Sequence, residues 1–173
     1  MAKQIPFFDL KTPQDLFAKL ERDRSRIEAN LMDSDAAFDF FVTANHLMDW
    51  AYPGISNKAK RDDLIKANPL LEVCKMIADG GKHFELDNPK HVSVTDMTDS
   101  PGGGNYFAAL GGMFKGRYWG SGEPIAHLIV HFDPEWVKAR GVVHPSFTVK
   151  YLARWVVEFW RKELERLEQH PHR

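Results

Sequence analysis

The sequence predicts an α+β fold: a helix-dominated bundle of four to five helices with a small antiparallel β-meander inserted before a long C-terminal helix. Two observations lead to this prediction. Apolar residues recur at helical spacing over much of residues 12–86 and 133–169, whereas residues 91–132 alternate in polarity or are broken by glycines. No repeat or long linker divides the 173 residues. We therefore expect a single domain over residues 1–173.

The first two predicted helices begin at clear N-terminal signals. The sequence TPQD at residues 12–15 offers a hydroxyl cap, a proline in the first turn and an acid, which predicts a helix to about Leu31. The sequence DSD at residues 33–35 opens a second helix, which runs to about Tyr52 and is closed by Pro53-Gly54. Apolar side chains occur nearly all round the second helix, which is typical of a buried central helix.

Two shorter helices follow. The sequence SN at residues 56–57 begins a third helix that runs to about Ala67, and the sequence NP at residues 68–69 begins a fourth. The fourth helix is apolar from Leu70 to Ile77, and we expect Gly80-Gly81 to end it.

The β-rich segment has one strand that is clearer than the others, IAHLIVHF at residues 125–132. Alternation predicts that its apolar face packs on the helices, while His127 and His131 point to the other face. A turn or two of helix is expected from Asp133. The longest helix is predicted from Ser146 to about Gln169, where an apolar stripe recurs at helical spacing.

Composition narrows the function classes. Lys plus Arg number 23 against 24 Asp plus Glu, so the overall charge does not favour a nucleic-acid partner. The single cysteine, Cys74, cannot form an internal disulfide. No apolar run resembles a signal peptide or reaches the length of a membrane span, so we expect a cytoplasmic protein without a membrane partner.

The sequence TANHLMDW at residues 43–50 holds the first candidate site. Residues at positions i and i+3 share a helix face, so His46 and Asp49 can approach one point. His83 follows the fourth helix, which in an antiparallel bundle can lie beside the second. These three are the candidate catalytic residues, for acid–base chemistry or for binding a transition metal. Trp50 and Lys82 are candidate binding residues beside them.

A structural explanation of the same residues stays open. A histidine within a helix that packs in a core is commonly hydrogen-bonded to a neighbouring group and has no chemical role. The helical metal motifs HExxH and paired ExxH are absent, so we assign no metal ligands and expect no cofactor.

The glycine-rich sequence at residues 101–124 suggests a second surface. It lacks the patterns of phosphate-binding loops, and a strand rather than a helix follows it, so we expect twisted hairpins. Within it, Arg117, Tyr118 and Trp119 could form a stacking platform for a base or a peptide. We therefore count Arg117 and Trp119 as candidate binding residues.

Two resemblances bear on function. The TANHLMDW helix, together with ADGGKHFEL at residues 78–86, resembles an uncharacterised group of small bacterial and phage-associated proteins. The helix-ending His83 also resembles the HEPN superfamily, whose helical bundles include many metal-independent RNases of toxin–antitoxin and phage-defence systems. That resemblance implies His83 as the proton-transfer group, Lys82 as a phosphate contact, and a dimer that completes the site.

The chain departs from the HEPN pattern in one respect. HEPN nucleases have four to six residues between an arginine and the catalytic histidine, and no arginine precedes His83 on its own helix. Arg140 precedes His144 with one residue too few between them.

Three function hypotheses follow. The leading one is a helical protein that binds a small ligand or a partner in a cleft lined by His and Asp. The second is an enzyme centred on His46, Asp49 and His83, either a HEPN-like RNase or a metal-dependent hydrolase. The third is a non-catalytic interaction module that forms a homodimer through the helix at residues 146–169.

Overall fold

The computed structural model describes residues 10–82, 94–100 and 127–170. It confirms the predicted α+β architecture, with helices in the majority and a small antiparallel sheet. Within these ranges no helix is long and apolar enough to cross a bilayer. The elements in chain order are α1 (Pro13–Ala29), α2 (Ser34–Ala51), a 3₁₀ turn (Ile55–Asn57), α3 (Lys58–Ala67), α4 (Pro69–Lys82), β1 (Val94–Ser100), β2 (His127–Phe132), α5 (Pro134–Arg140), β3 (Ser146–Thr148) and α6 (Val149–Gln169).

The helix starts follow local capping chemistry. At α1 the Thr12 hydroxyl accepts from the Asp15 amide at 3.1 Å, and the Asp15 carboxylate accepts from the Thr12 amide at 2.9 Å. This reciprocal capping box satisfies two amides that have no partner inside the helix. Asp33 caps α2 by accepting from the Ala36 amide at 2.8 Å. Both starts agree with the sequence prediction to within a residue.

The helices α1, α2 and α6 form the centre of the bundle. Arg26 contacts Asp39 at 2.8 Å, and Lys19 contacts Thr43 at 2.8 Å, so α1 and α2 run antiparallel. Gln14 contacts Glu168 and Glu21 contacts Arg161, so α1 and α6 are antiparallel as well. The largest fully buried side chains, which form the core of the bundle, are Trp160, Phe40, Phe41, Leu20, Ile27, Leu47, Leu71 and Leu152.

The sheet has strand order β1-β2-β3, with both neighbouring pairs antiparallel. A register shift between Val94 and Asp96 marks a bulge in β1. The amide of Leu128 donates to the carbonyl of Leu31 at 3.1 Å, which attaches β2 to the connection between α1 and α2. Leu128, Val130 and Phe132 are buried in the main core, so the predicted packing of this apolar face on the helices is confirmed.

Two boundaries differ from the sequence expectation. α4 continues through Gly80-Gly81 to Lys82, because glycine ends a helix only where the backbone turns left-handed and otherwise costs about 1 kcal/mol. The last helix begins at Val149 rather than Ser146. Residues 146–148 instead pair with β2 as the third strand, and the Thr148 side chain then caps α6. The twisted hairpins expected within residues 101–124 lie outside the described residues.

The predicted burial of α2 on all sides is wrong. Its buried residues fall on one face, which packs against α1, α4 and α6. Ser34, Asp35, His46 and Asp49 are exposed on the opposite face, as is Phe38 with 42% of its surface accessible. Apolar side chains are common on protein surfaces, so their presence all round a helix does not establish that every face is covered.

Candidate ligand-binding site

His46 and Asp49 share the exposed face of α2, as their spacing predicts. His46 is exposed, and the Asp49 side chain is 67% accessible. Asp49 Oδ1 lies 3.3 Å from Arg61 Nε on α3. The pair is therefore open to solvent and is not the polar group of a buried core that the sequence suggested.

Arg61, the ion-pair partner of Asp49, has a structural role at the end of α2. Its Nη1 atom donates to the carbonyls of Tyr52 at 2.5 Å and Gly54 at 2.9 Å, at the end of α2. A cation there satisfies carbonyls that have no partner inside the helix and interacts favourably with the negative end of the helix dipole. Asp49 helps to orient this arginine. Trp50, the predicted binding residue beside them, is half-buried and packs against the core.

Next to this helix end, the buried side chains of Tyr52 and Glu163 form a polar group with the more exposed Arg166. Tyr52 donates its hydroxyl to Glu163 Oε1, and Arg166 donates to both Glu163 oxygens at 2.8 and 2.9 Å. Burial and the bond to Glu163 raise the pKa of Tyr52 to about 12. Burial opposes ionisation of Glu163, but the bonds from Arg166 and Tyr52 outweigh it and lower the pKa of that carboxyl. Every partner is satisfied, as expected of a group that joins α2 to α6.

A second buried group joins α1 to α2. Lys19 Nζ contacts Asp23 Oδ2 at 2.5 Å and Thr43 Oγ1 at 2.8 Å, and the Thr43 hydroxyl donates to Asp23 Oδ2 at 3.1 Å. Asp23 and Thr43 are both buried. Because the carboxylate and the hydroxyl bind each other and the same ammonium group, this group is a polar clamp between helices rather than an open site.

The remaining predicted residues are only partly covered by the structure. Lys82 is the last residue of α4, while His83, Arg117 and Trp119 lie outside the described residues. On β2, His131 is half-buried, and its neighbour on the same face, Ile129, is buried. A site that combines His46, Asp49 and His83 stays a prediction.

The structure reveals a different candidate site, a groove between the C-terminal half of α1 and the first turns of α6. The groove has a volume of about 270 Å³. This volume lies just below the range of about 300–1,000 Å³ that is typical of small-ligand pockets, so the groove could hold only a small molecule. The lining residues, which define what we call the basic groove, are Arg24, Glu28, Lys150, Tyr151 and Arg154.

The charges of the basic groove are unbalanced. Three cations line it against one carboxylate, Glu28, which lies 3.5 Å from Arg24 Nε. Lys150 and Arg154 are both exposed and stand four residues apart on one helix, an arrangement of like charges that costs a few tenths of a kcal/mol. The first turn of α6 also has no acidic residue to offset the positive end of the helix dipole. An anion bound here would relieve all three effects.

Aromatic rings border the basic groove on α6. Tyr151 lines the groove and is 39% accessible. Its ring lies 6.2 Å from that of Trp155 with the planes tilted by 31°. Trp155 in turn packs edge-on against Phe147 of β3, with 5.2 Å between ring centroids. The Tyr151 ring therefore packs against Trp155, and part of its surface stays open to the groove.

Metal binding has little support among the residues that the structure describes. Over residues 10–82, 94–100 and 127–170, no three His, Cys, Asp or Glu side chains come together in a way that could hold a metal ion. Cys74 is fully buried in the core, and burial raises the pKa of its thiol well above the ordinary value. A raised thiol pKa opposes both nucleophilic attack and metal ligation.

Sequence reasoning did not find the basic groove, although one signal was present. A long amphipathic helix usually has an acidic residue in its first turn, whereas Lys150 is the second residue of α6 and Arg154 stands one turn later. That pattern indicates an unusual helix start. It does not indicate that Arg24, more than 120 residues earlier in the chain, faces the same groove.

Comparisons with known proteins add no further constraint. No protein-family model matches the chain, and neither a curated protein nor a solved structure is detectably similar to it. We therefore infer function from the chain's own residues.

Proposed function

We propose that this protein binds a small phosphate-bearing ligand in the basic groove. This keeps the binding role expected from the sequence and moves it from the His46 and Asp49 face of α2 to the junction of α1 and α6. The observation that supports the proposal is the excess of cations over carboxylates in a groove at the positive end of a 21-residue helix.

The chemistry of the three cations suits a phosphate. Arginine presents a planar fork of N–H donors that matches two phosphate oxygens, and lysine adds a mobile point charge. Arg154 and Lys150 are exposed and can turn toward a ligand, while Arg24 is half-buried and fixed by α1. A phosphate at the midpoint of the groove would replace the repulsion between Lys150 and Arg154 with two attractive interactions.

The expected affinity is modest because the groove is open to water. Exposed ion pairs contribute up to about 1 kcal/mol each, and charge-assisted hydrogen bonds somewhat more. With three cations, dissociation constants in the range of about 10 µM to 1 mM follow for a ligand that carries two or more negative charges. Such affinities suit a ligand that is present in cells at similar concentrations.

Isothermal titration calorimetry with inorganic pyrophosphate tests the proposal. We expect saturable binding at one site, which weakens as the salt concentration rises. The double variant Lys150→Gln/Arg154→Gln should lose at least about tenfold in affinity. The matched control is Arg161→Gln/Lys162→Gln, which removes the same charge from α6 outside the groove and should bind nearly as well as the wild type. Equal losses in the two double variants would show only a general charge effect and would overturn the proposal.

A single substitution in the opposite direction sharpens this test. Glu28→Gln removes the carboxylate from the groove and releases Arg24 from its ion pair. Pyrophosphate should then bind more tightly by a few-fold, because the ligand no longer competes with Glu28 or meets its negative charge. Unchanged or weaker binding by Glu28→Gln would argue against the basic groove as the site.

A further inference from the structure

We infer that the ligand of the basic groove is a nucleotide, whose phosphate lies among the cations and whose base stacks on Tyr151. This inference rests on the proposed function and adds the chemical class of the ligand. It depends on a different observation, the partly open aromatic ring that lines the same groove as Arg24, Lys150 and Arg154.

The placement of Tyr151 fits a base-stacking role. It stands one residue after Lys150 and three before Arg154, so its ring and the two cations lie within one turn of α6. An aromatic side chain that is 39% accessible beside mobile cations offers a flat apolar surface next to a site for negative charge. Nucleotides combine a flat aromatic ring with a phosphate at one end, and proteins bind them with this pair of features.

The contact between Tyr151 and Trp155 favours stacking of a base on the Tyr151 ring. Trp155 packs against Tyr151 on α6, and Phe147 holds Trp155 edge-on from β3. A ring that already packs against a neighbouring ring loses less conformational freedom when a base stacks on it, so more of the stacking interaction is retained as affinity. The groove of about 270 Å³ suits a single nucleotide unit rather than a dinucleotide.

The base should be recognised by stacking rather than by its polar edge. The carboxylate of Glu28 lines the groove but is already paired with Arg24. Selectivity among bases should therefore follow stacking strength, with purines bound more tightly than pyrimidines by a few-fold.

The test compares five probes by calorimetry on the full chain: AMP, ribose 5-phosphate, adenosine, inorganic pyrophosphate and a short oligoadenylate. We expect AMP to bind about tenfold more tightly than ribose 5-phosphate, which has the same phosphate and sugar but no base. Adenosine, which lacks the phosphate, should bind more weakly than AMP. A short oligoadenylate that binds no more tightly than AMP assigns the site to a free nucleotide, and a much tighter one assigns it to a nucleotide within a strand.

Variants at the ring separate stacking from folding. Tyr151→Leu should reduce AMP affinity to about that of ribose 5-phosphate, while Tyr151→Phe should keep wild-type affinity for AMP. Phe38→Leu is the matched control, because it changes an exposed aromatic residue of α2 away from the groove. Circular dichroism confirms that each variant is folded.

The outcomes distinguish this inference from the proposed function. If pyrophosphate binds but AMP binds no more tightly than ribose 5-phosphate, the nucleotide inference is wrong and the phosphate site stands. If neither pyrophosphate nor AMP binds, both fail. If Tyr151→Leu retains wild-type affinity for AMP, the base does not stack on this ring and the inference is overturned.

Discussion

The polar group of Tyr52, Glu163 and Arg166 allows us to predict how far Glu163→Gln lowers the free energy of unfolding. Glu163 is only 9% accessible and accepts two bonds from Arg166, at 2.8 and 2.9 Å, together with the Tyr52 hydroxyl. Glutamine keeps the size of the side chain and removes its charge. Hydrogen bonds to charged groups contribute about 1.5–3 kcal/mol each, but the Arg166 side chain is 47% accessible and regains water when its partner is neutral. We expect the free energy of unfolding to fall by about 2 kcal/mol.

Urea denaturation at neutral pH, followed by tryptophan fluorescence, measures this loss. Glu165→Gln makes the same change at an exposed position two residues along α6 and should stay within about 0.5 kcal/mol of the wild type. The pKa of Glu163 lies below its ordinary value of 4.5, so its contribution is present above that pH and is lost as the pH falls through the lowered pKa. The difference between wild type and Glu163→Gln should therefore shrink in acid. Equal stabilities of the two variants at neutral pH would refute the reasoning.

Three further predictions concern the fold. The pKa of Tyr52 is raised to about 12, so its contribution to the free energy of unfolding is complete below the ordinary pKa of 10.0 and is lost as the pH rises through 12. Tyr52→Phe should therefore make the free energy of unfolding fall less steeply over that pH range. An unchanged slope would contradict the role assigned to the Tyr52 hydroxyl. Phe40→Ala should cost about 3–5 kcal/mol in urea denaturation because it empties a fully buried position, whereas Phe38→Ala should cost less than about 1 kcal/mol, and similar losses would contradict the burial assigned to α2. Asp49→Ala should cost less than about 1 kcal/mol because the Asp49 side chain is 67% accessible, and a larger loss in the same assay would indicate a role beyond its ion pair with Arg61.

The parts of the fold that depend on neighbouring residues were predictable from the sequence. The start of α1 follows from Thr12 and Asp15, and the start of α2 from Asp33, because capping bonds join residues three positions apart. The start of α6 was not predictable in the same way. Residues 146–148 form a strand only because β2 lies beside them, and β2 is distant enough in sequence that no local pattern reports the pairing.

The same distinction applies to the candidate site. Helical spacing correctly placed His46 and Asp49 on one face of α2, but the sequence did not show whether a neighbouring helix covers that face. Helices α1, α4 and α6 cover the opposite one. The basic groove depends on α1 and α6 lying side by side, so its cations come together only in the folded chain.

A ¹H–¹⁵N NMR titration with inorganic pyrophosphate tests most directly whether the basic groove is a binding site. We expect the largest chemical-shift changes on the backbone amides of residues 149–154 and on the Arg24 side chain, and we expect them to saturate with one dissociation constant. Changes that never saturate, or that centre on His46 and Asp49 or another surface, would contradict it.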